Sequence, residues 1–218
     1  MEAKPSVLII AHRGFSSRYP ENTLPAIRAA LKLGVDMVEI DVHETRDGRI
    51  VVFHDYRLNR LCGVPGRVRD KTLRELPGIP TLEQVLKTCR GRARVLIEIK
   101  RADPAKVAGV IERLGMRRQV IVFSMSERIM RELPAGIPRF GLATRNLKFD
   151  APVTGLGVNR RLIRSRADVR RLHRRGLQVF VWTVNRRKEM ERLMAWGVDG
   201  LITNYPDRAI SCKLLTAT

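Results

Sequence analysis

The 218-residue sequence is short of several things. No apolar run approaches the ~20 residues that a membrane-spanning helix needs. The first apolar stretch, Val7 to Ala11, is too short for the core of a signal peptide, so a cytoplasmic protein is expected. There are three cysteines, Cys62, Cys89 and Cys212, scattered and without a CxxC pair, which excludes a disulfide framework or a zinc knuckle. Aromatic residues make up 5% and do not interleave with the densest basic run, Arg160 to Arg175, so there is no stacking platform for nucleic-acid bases. Acidic residues are outnumbered 22 to 42 by lysine and arginine, a net charge of +20.

That charge permits binding to anionic membrane surfaces, phosphorylated substrates or nucleic acid. The shortage of aromatics sets the last aside, and peripheral association with an anionic membrane stays open. The densest basic run, Arg160 to Arg175, carries Leu162, Ile163, Val169 and Leu172 and reads as an amphipathic helix with a solvated basic face. Arginine richness fits life at high temperature and a GC-rich genome equally well. Hydrophobic residues at 44% supply a sizeable core, and the length suits a single domain over 1–218. The sequence is silent on oligomeric state.

Along the chain, Val7 to Ala11 is a continuous apolar run, as a strand buried on both faces should be. A helix is expected from Thr23, its N-cap, to Leu33, closed by Gly34. Met37 to His43 is the next strand, and Asp47-Gly48 signals a two-residue hairpin into Ile50 to Phe53. Residues 55–80 read as a loop. Thr81-Leu82-Glu83-Gln84 is a capping box, and Asp103-Pro104 pairs an N-cap with a first-turn proline. Further strands are expected at Arg94 to Lys100, Val120 to Ser124, Arg139 to Ala143, Gly155 to Asn159, Gln178 to Val184 and Gly200 to Thr203, mostly with helices between. About eight core strands in alternation favour a closed α/β (β/α)8 TIM barrel, without a large insertion after the second strand, over a doubly wound sheet. Leu33-Gly34-Val35-Asp36 and Trp196-Gly197-Val198-Asp199 read as two equivalent helix-to-strand corners of that barrel.

On Met37 to His43 the residues Met37, Glu39, Asp41 and His43 share one face. On an antiparallel edge strand those carboxylates would simply face water. In a parallel barrel they cannot. Arg94 to Lys100 repeats the pattern, and by pleat Met37 matches Leu96, Glu39 matches Glu98 and Asp41 matches Lys100. Three carboxylates converging at C-terminal strand ends, where barrel enzymes keep their sites, call for neutralisation by Lys100 and a divalent cation. Mg2+, Mn2+ and Ca2+ all suit such oxygen ligands. His12 and His54 fall at the same end and suit acid-base chemistry, and Arg13 could hold a phosphate. Singly, each histidine is a structural hydrogen-bonder, and His43 and His173 stay in that class. Trp182 lines the pocket mouth or packs in the core. Asn22 either lines the pocket or helps to cap the first helix.

His12-Arg13-Gly14, Pro20-Glu21-Asn22-Thr23, Glu39-Ile40-Asp41-Val42, His54-Asp55, Ile79-Pro80-Thr81-Leu82, Glu98-Ile99-Lys100, Val181-Trp182-Thr183-Val184-Asn185 and the stretch Gly197 to Pro206 together resemble the glycerophosphodiester phosphodiesterase family, in order and over nearly the whole chain. The resemblance implies a (β/α)8 barrel and metal-dependent hydrolysis of small-molecule glycerophosphodiesters, such as glycerophosphocholine or glycerophosphoethanolamine, to glycerol 3-phosphate and an alcohol. It implies Glu39, Asp41 and Glu98 as metal ligands, His12 and His54 as general acid and base, and Arg13 and Lys100 on the phosphate. It also implies attack on phosphorus by the substrate's own glycerol hydroxyl, through a cyclic phosphate.

Two departures stand out. Residues 55–80 leave room only for a loop where larger members carry an insert, which implies a more open site. Ser124-Met125-Ser126 lacks the Phe-Asp expected after the fourth strand's Phe-Ser. A lysophospholipase D acting on lysophospholipids is the nearest rival, although residues 55–80 show no apolar cluster for a lipid. A non-catalytic basic binding protein would not need both histidines and all three carboxylates.

Overall fold

The apolar runs become strands buried on both faces in the computed structural model, which describes residues 6–216. The strands are β1 (Leu8–His12), β2 (Met37–Glu44), β3 (Ile50–Val52), β4 (Arg94–Arg101), β5 (Val120–Ser124), β6 (Arg139–Ala143), β7 (Gly155–Asn159), β8 (Gln178–Trp182) and β9 (Gly200–Thr203). The helices are α1 (Leu24–Lys32), α2 (Asn59–Cys62), α3 (Leu82–Cys89), α4 (Pro104–Arg113), α5 (Glu127–Glu132), α6 (Arg166–Arg174), α7 (Arg187–Trp196) and α8 (Pro206–Thr216). All strands but β3 run parallel, in the order β1-β2-β4-β5-β6-β7-β8-β9, and β9 pairs with β1 to close the barrel. Among the described residues no helix is long and apolar enough to cross a membrane.

Alternation sorts each strand into two cores. Ile10, Met37, Leu96, Phe123, Phe140 and Phe180 fill the lumen. Ile9, Val38, Ile40, Val95 and Ile97 face outward against the helices. Glu39 and Asp41 follow Met37 at even spacing, and Glu98 follows Leu96, so all three point into the lumen above the apolar layer.

The register between β2 and β4 differs from the pleat-by-pleat match. Met37 pairs with Arg94, Glu39 with Leu96 and Asp41 with Glu98. Strands in a closed barrel are tilted and staggered, so residues at one height on adjacent strands are not hydrogen-bond partners. The result sets Glu98 directly beside Asp41 and lifts Lys100 one step above them.

Two local expectations need correction. The β2–β3 hairpin has a three-residue loop, Arg46-Asp47-Gly48, because the Thr45 N–H donates to the Arg49 carbonyl and Gly48 takes the left-handed conformation at φ 75°. Residues 55–80 are more than a loop. They fold as α2 and two 3-10 turns, Val68–Asp70 and Leu73–Glu75, over a small core of Val51, Phe53, Leu58, Val68 and Leu76. That lobe exposes Tyr56, Leu61 and Val64, so apolar surface is present where none was expected.

The helix signals hold. Thr23 caps α1, Thr81 forms the capping box of α3, and Asp103 caps α4 ahead of Pro104. The basic run contributes α6, which buries Val169 and Leu172 and turns its arginines outward. The two repeated corners are equivalent. Asp36 exchanges backbone and carboxylate hydrogen bonds with Ile9, and Asp199 does the same with Val179.

Strands β6 and β7 carry glycines where the lumen needs aromatic rings. Phe140 packs on Phe180 with ring centroids 4.7 Å apart, and a Cβ on Gly155 would sit 2.4 Å from the Phe140 ring. Gly155→Ala is therefore expected to cost at least ~1–3 kcal/mol by overpacking, lowering the melting temperature by several degrees. An unchanged melt would mean that the ring can move aside.

Candidate active site

The first site element is the turn that ends β1. Arg13 adopts φ 55° and Asn22 φ 59°, left-handed values that a residue other than glycine holds only when its surroundings fix it. The turn points the Arg13 N–H at Glu39 Oε2, 3.0 Å away. The Asn22 N–H donates to the Arg13 carbonyl at 3.0 Å. Asn22 Nδ2 donates to Asp41 Oδ2 at 2.9 Å, and its Oδ1 accepts from the Asp41 N–H at 3.3 Å. Asn22 thus holds Asp41 from behind, buried. It neither lines the cavity nor caps α1, a task that falls to Thr23.

Glu39, Asp41 and Glu98 are all buried, with one oxygen of each within 4.8 Å of the others. Two cations partly balance them. Arg13 Nε lies 3.1 Å from Asp41 Oδ2, and Lys100 Nζ lies 2.6 Å from Glu98 Oε1 and 3.3 Å from Asp41 Oδ1. Burial and then the Asp41 charge hold the Glu39 carboxyl well above the usual range. The same two causes push Glu98 up to about 7. Burial works against Asp41 as well, yet Lys100 and Arg13 hold it below its ordinary value. One Asp41 oxygen, Oδ1, is buried and accepts no hydrogen bond, having the Lys100 ammonium at 3.3 Å as its ionic contact. This is an all-oxygen set with more negative charge than its neighbours neutralise, which fits a hard divalent cation.

Both histidines line the cavity beside Glu39 and Glu98. His12 Nδ1 lies 2.6 Å from Asn204 Oδ1, an acceptor, so Nδ1 carries the proton and Nε2 keeps its lone pair. Burial and then Arg13 lower the His12 pKa to about 4, so the ring is neutral at neutral pH. His54 Nδ1 lies 2.6 Å from Asp55 Oδ1, which leaves its Nε2 for the cavity. Arg60 clamps Asp55 and pushes its carboxyl down to about 2, and Arg60 also meets Glu21, which in turn holds Arg13. His43 and His173 are structural, as read: His43 Nε2 meets the His54 carbonyl and His173 Nε2 the Asp199 carboxylate.

His12, Arg13, Glu39, His54, Glu98 and Lys100 line the polar side of one cavity of about 210 Å3, and Phe123, Leu142, Trp182 and Ile202 its apolar side. Of the expected residues, all but Asp41 and Asn22 line this cavity; an Asp41 oxygen lies within 4.8 Å of those of Glu39 and Glu98, and Asn22 sits behind it. Sequence reasoning missed the partners Asn204, Asp55, Glu21 and Arg60. The first three lie inside the quoted motifs and could have been singled out there. Arg60 lies in the arginine-rich segment 55–80 and carries no local signal.

Residues 12–208 match the model of the glycerophosphoryl diester phosphodiesterase family. The chain is 37% identical over 232 residues to the Bacillus subtilis protein YhdW, covering 91% of this chain and 95% of that one. It is 30% identical over 244 residues to a glycerophosphodiester phosphodiesterase of Bacillus altitudinis, covering 94% and 97%. The crystal structure of the Thermotoga maritima glycerophosphodiester phosphodiesterase superposes with a TM-score of 0.81 at 29% identity, covering 95% and 98%.

Proposed function

The chain belongs to the glycerophosphoryl diester phosphodiesterase family, a family of phosphoric diester hydrolases, and from that premise we propose that it hydrolyses small glycerophosphodiesters to glycerol 3-phosphate and an alcohol, with a divalent cation held by Glu39, Asp41 and Glu98. One observation carries this reading: three buried carboxylates in one cluster, two of which share a cavity with two histidines, an arginine and a lysine. Bound there, the cation polarises phosphoryl oxygens and lowers the pKa of a hydroxyl beside it.

The protein's own groups do the rest. Arg13 and Lys100, already buried against carboxylates, present cationic donors to the phosphate. His12, neutral with Nε2 unprotonated, accepts the proton of the attacking glycerol hydroxyl. His54, held through Nδ1 by Asp55, donates to the departing alcohol, and the cyclic glycerol phosphate so formed is opened by water with the roles reversed, His54 taking the water's proton and His12 returning one to the released glycerol oxygen. Asn204 and Asp55 fix which nitrogen of each ring does this work. The apolar wall of Phe123, Leu142 and Trp182 keeps water off the far side. The test is release of glycerol phosphate from glycerophosphocholine and glycerophosphoethanolamine with Mg2+, Mn2+ or Ca2+ against chelator. Turnover indifferent to chelator would sink the metal assignment.

The raised carboxyls make cation uptake pH-dependent. Glu98 titrates at about 7, and burial and the Asp41 charge hold Glu39 well above its ordinary value, so protonated carboxyls must lose their protons before ligating. Both shifts are upward, so affinity falls as pH drops below about 7, by up to tenfold per pH unit for each proton displaced. Titrating Mn2+ calorimetrically in buffers of different ionisation enthalpy should show about one or more protons released at neutral pH. Affinity unchanged between about pH 6 and 8 would contradict the ligand assignment.

A second reading, action on lysophospholipids, is favoured by Tyr56, Leu61, Val64 and Met125, exposed around this end of the barrel. A higher rate on lysophosphatidylcholine than on glycerophosphocholine would select it.

A further inference from the structure

We propose that a cluster of arginines beside the catalytic cavity is a second anion subsite, which selects diesters whose leaving alcohol carries a further phosphate. This rests on the diester hydrolase reading above and names its substrate class.

The cluster lines a recess of about 350 Å3, ample for one phosphate, formed by Arg57, Arg67, Arg69 and Arg101 with His43 and Tyr56. Four arginines around one recess, with no carboxylate lining it, make a positive potential there that an anion would relieve. Some surface arginines elsewhere have acidic partners, Arg46 with Glu75, Arg60 with Asp55, Arg117 with Glu112 and Arg128 with Glu132, while others among the described residues stand singly in solvent; the recess differs in gathering four of them around one space. In this recess, among the described residues, only Arg69 has an acidic neighbour, Asp70 at 3.5 Å on the exposed side. No ion pair is formed by Arg57, Arg67 or Arg101, and no carboxylate lines the recess.

The recess is built rather than incidental. Arg57 and Arg67 face each other across an antiparallel bridge, flanked by hydrogen bonds from Leu58 N to Gly66 O and from Val68 N to Tyr56 O. Leu58 and Val68 anchor both strands of that bridge in the lobe's core. Arg101 comes from β4, and the His43 ring meets Tyr56 edge-on at 5.2 Å. Two segments far apart in sequence therefore aim guanidinium forks, which suit phosphate oxygens, into one space.

The recess also connects with the chemistry. Lys100 lines the catalytic cavity and also an open groove that shares Tyr56, Arg69 and Arg101 with the recess and carries Glu44, Asp103 and Glu132 farther out. Arg101 is the next residue after Lys100. His43 stands two residues beyond Asp41, about 7 Å along the strand. An alcohol of polyol size leaving the reacting phosphorus on this side brings a second phosphate to the arginines.

The test compares glycerophosphoinositol with its phosphate monoester, the same alcohol with and without the extra anion. On the full-length chain, kcat/KM for the phosphorylated diester should be higher by about tenfold or more, the scale of one or two charge-assisted hydrogen bonds. Arg67→Ala with Arg101→Ala should bring the ratio of the two substrates towards one, and Arg67→Lys should keep part of it. A ratio near one in the parent, or a ratio untouched by the double substitution, overturns the proposal. So does a double substitution that weakens sedimentation with phosphatidylglycerol vesicles yet leaves the ratio intact, because the arginines would then serve a lipid surface. Calorimetric binding of inositol bisphosphate to the metal-free protein separates this inference from the reaction itself. Weaker binding by the double variant supports the subsite even if neither diester is turned over, and equal binding overturns it.

Discussion

Glu98→Gln is expected to lower turnover of glycerophosphocholine by about a thousandfold or more while leaving the metal-free protein at least as stable as its parent at about pH 8. The activity loss follows from removing one of three charged oxygens that would hold the cation, whose charge stabilisation is worth several kcal/mol. The stability half follows from the sign of the Glu98 shift. Its folded pKa of about 7 lies above the ordinary 4.5, so its favourable contribution is present below about 4.5 and is lost as pH rises through about 7. Above that the fold carries a buried charge that costs up to roughly 3 kcal/mol, which the amide removes. Lys100 loses its 2.6 Å partner, an offset limited by its second contact to Asp41. Melting curves without metal and steady-state rates with it check both halves. Lost activity together with a lower melting temperature would instead mark Glu98 as a structural residue. Retained activity would sink its role as a ligand.

His12→Ala and His54→Ala should each reduce kcat by about 10^2–10^4, the range for a positioned acid or base. The two separate on a diester with a leaving group such as p-nitrophenol, which departs without needing a proton. His54→Ala should recover most of its rate on that substrate, and His12→Ala should not. The asymmetry follows from the partners. His12 Nδ1 points at the Asn204 oxygen and leaves Nε2 as an acceptor, whereas His54 is held against the Asp55 carboxylate. Asp55→Asn should cost less than His54→Ala, about 10- to 100-fold, because it misorients the ring without removing it. Rescue of His12→Ala and not of His54→Ala would reverse the assignment. Rescue of neither would place both histidines outside proton transfer to the leaving group.

The barrel was legible because its physics is local. A parallel strand covered on both faces must be apolar along most of its length, and Val7 to Ala11, Val120 to Phe123 and Gly200 to Ile202 are. Thr81-Leu82-Glu83-Gln84 and Asp103-Pro104 announce helix starts within a few residues of themselves. The charged C-terminal ends of β2 and β4 were legible for the same reason, since carboxylates on a two-sided buried strand stand out against the pattern.

What the sequence by itself determined, then, was the barrel strands to within a residue or two, the caps at Thr23, Thr81 and Asp103, and which side chains of β2 and β4 face inward, because these depend on neighbours along the chain. Only the tertiary structure decided how the pieces meet. Barrel stagger set Asp41 against Glu98 rather than Lys100. Asn22 reached Asp41 across 19 residues, and Asn204 reached His12 across 192, once β9 had closed on β1. The small core under residues 55–80 turned an arginine-rich stretch into a wall and gathered Arg57 and Arg67 with Arg101. Such contacts depend on closure of the whole ring of strands, a property of the assembled chain that no local window of residues contains.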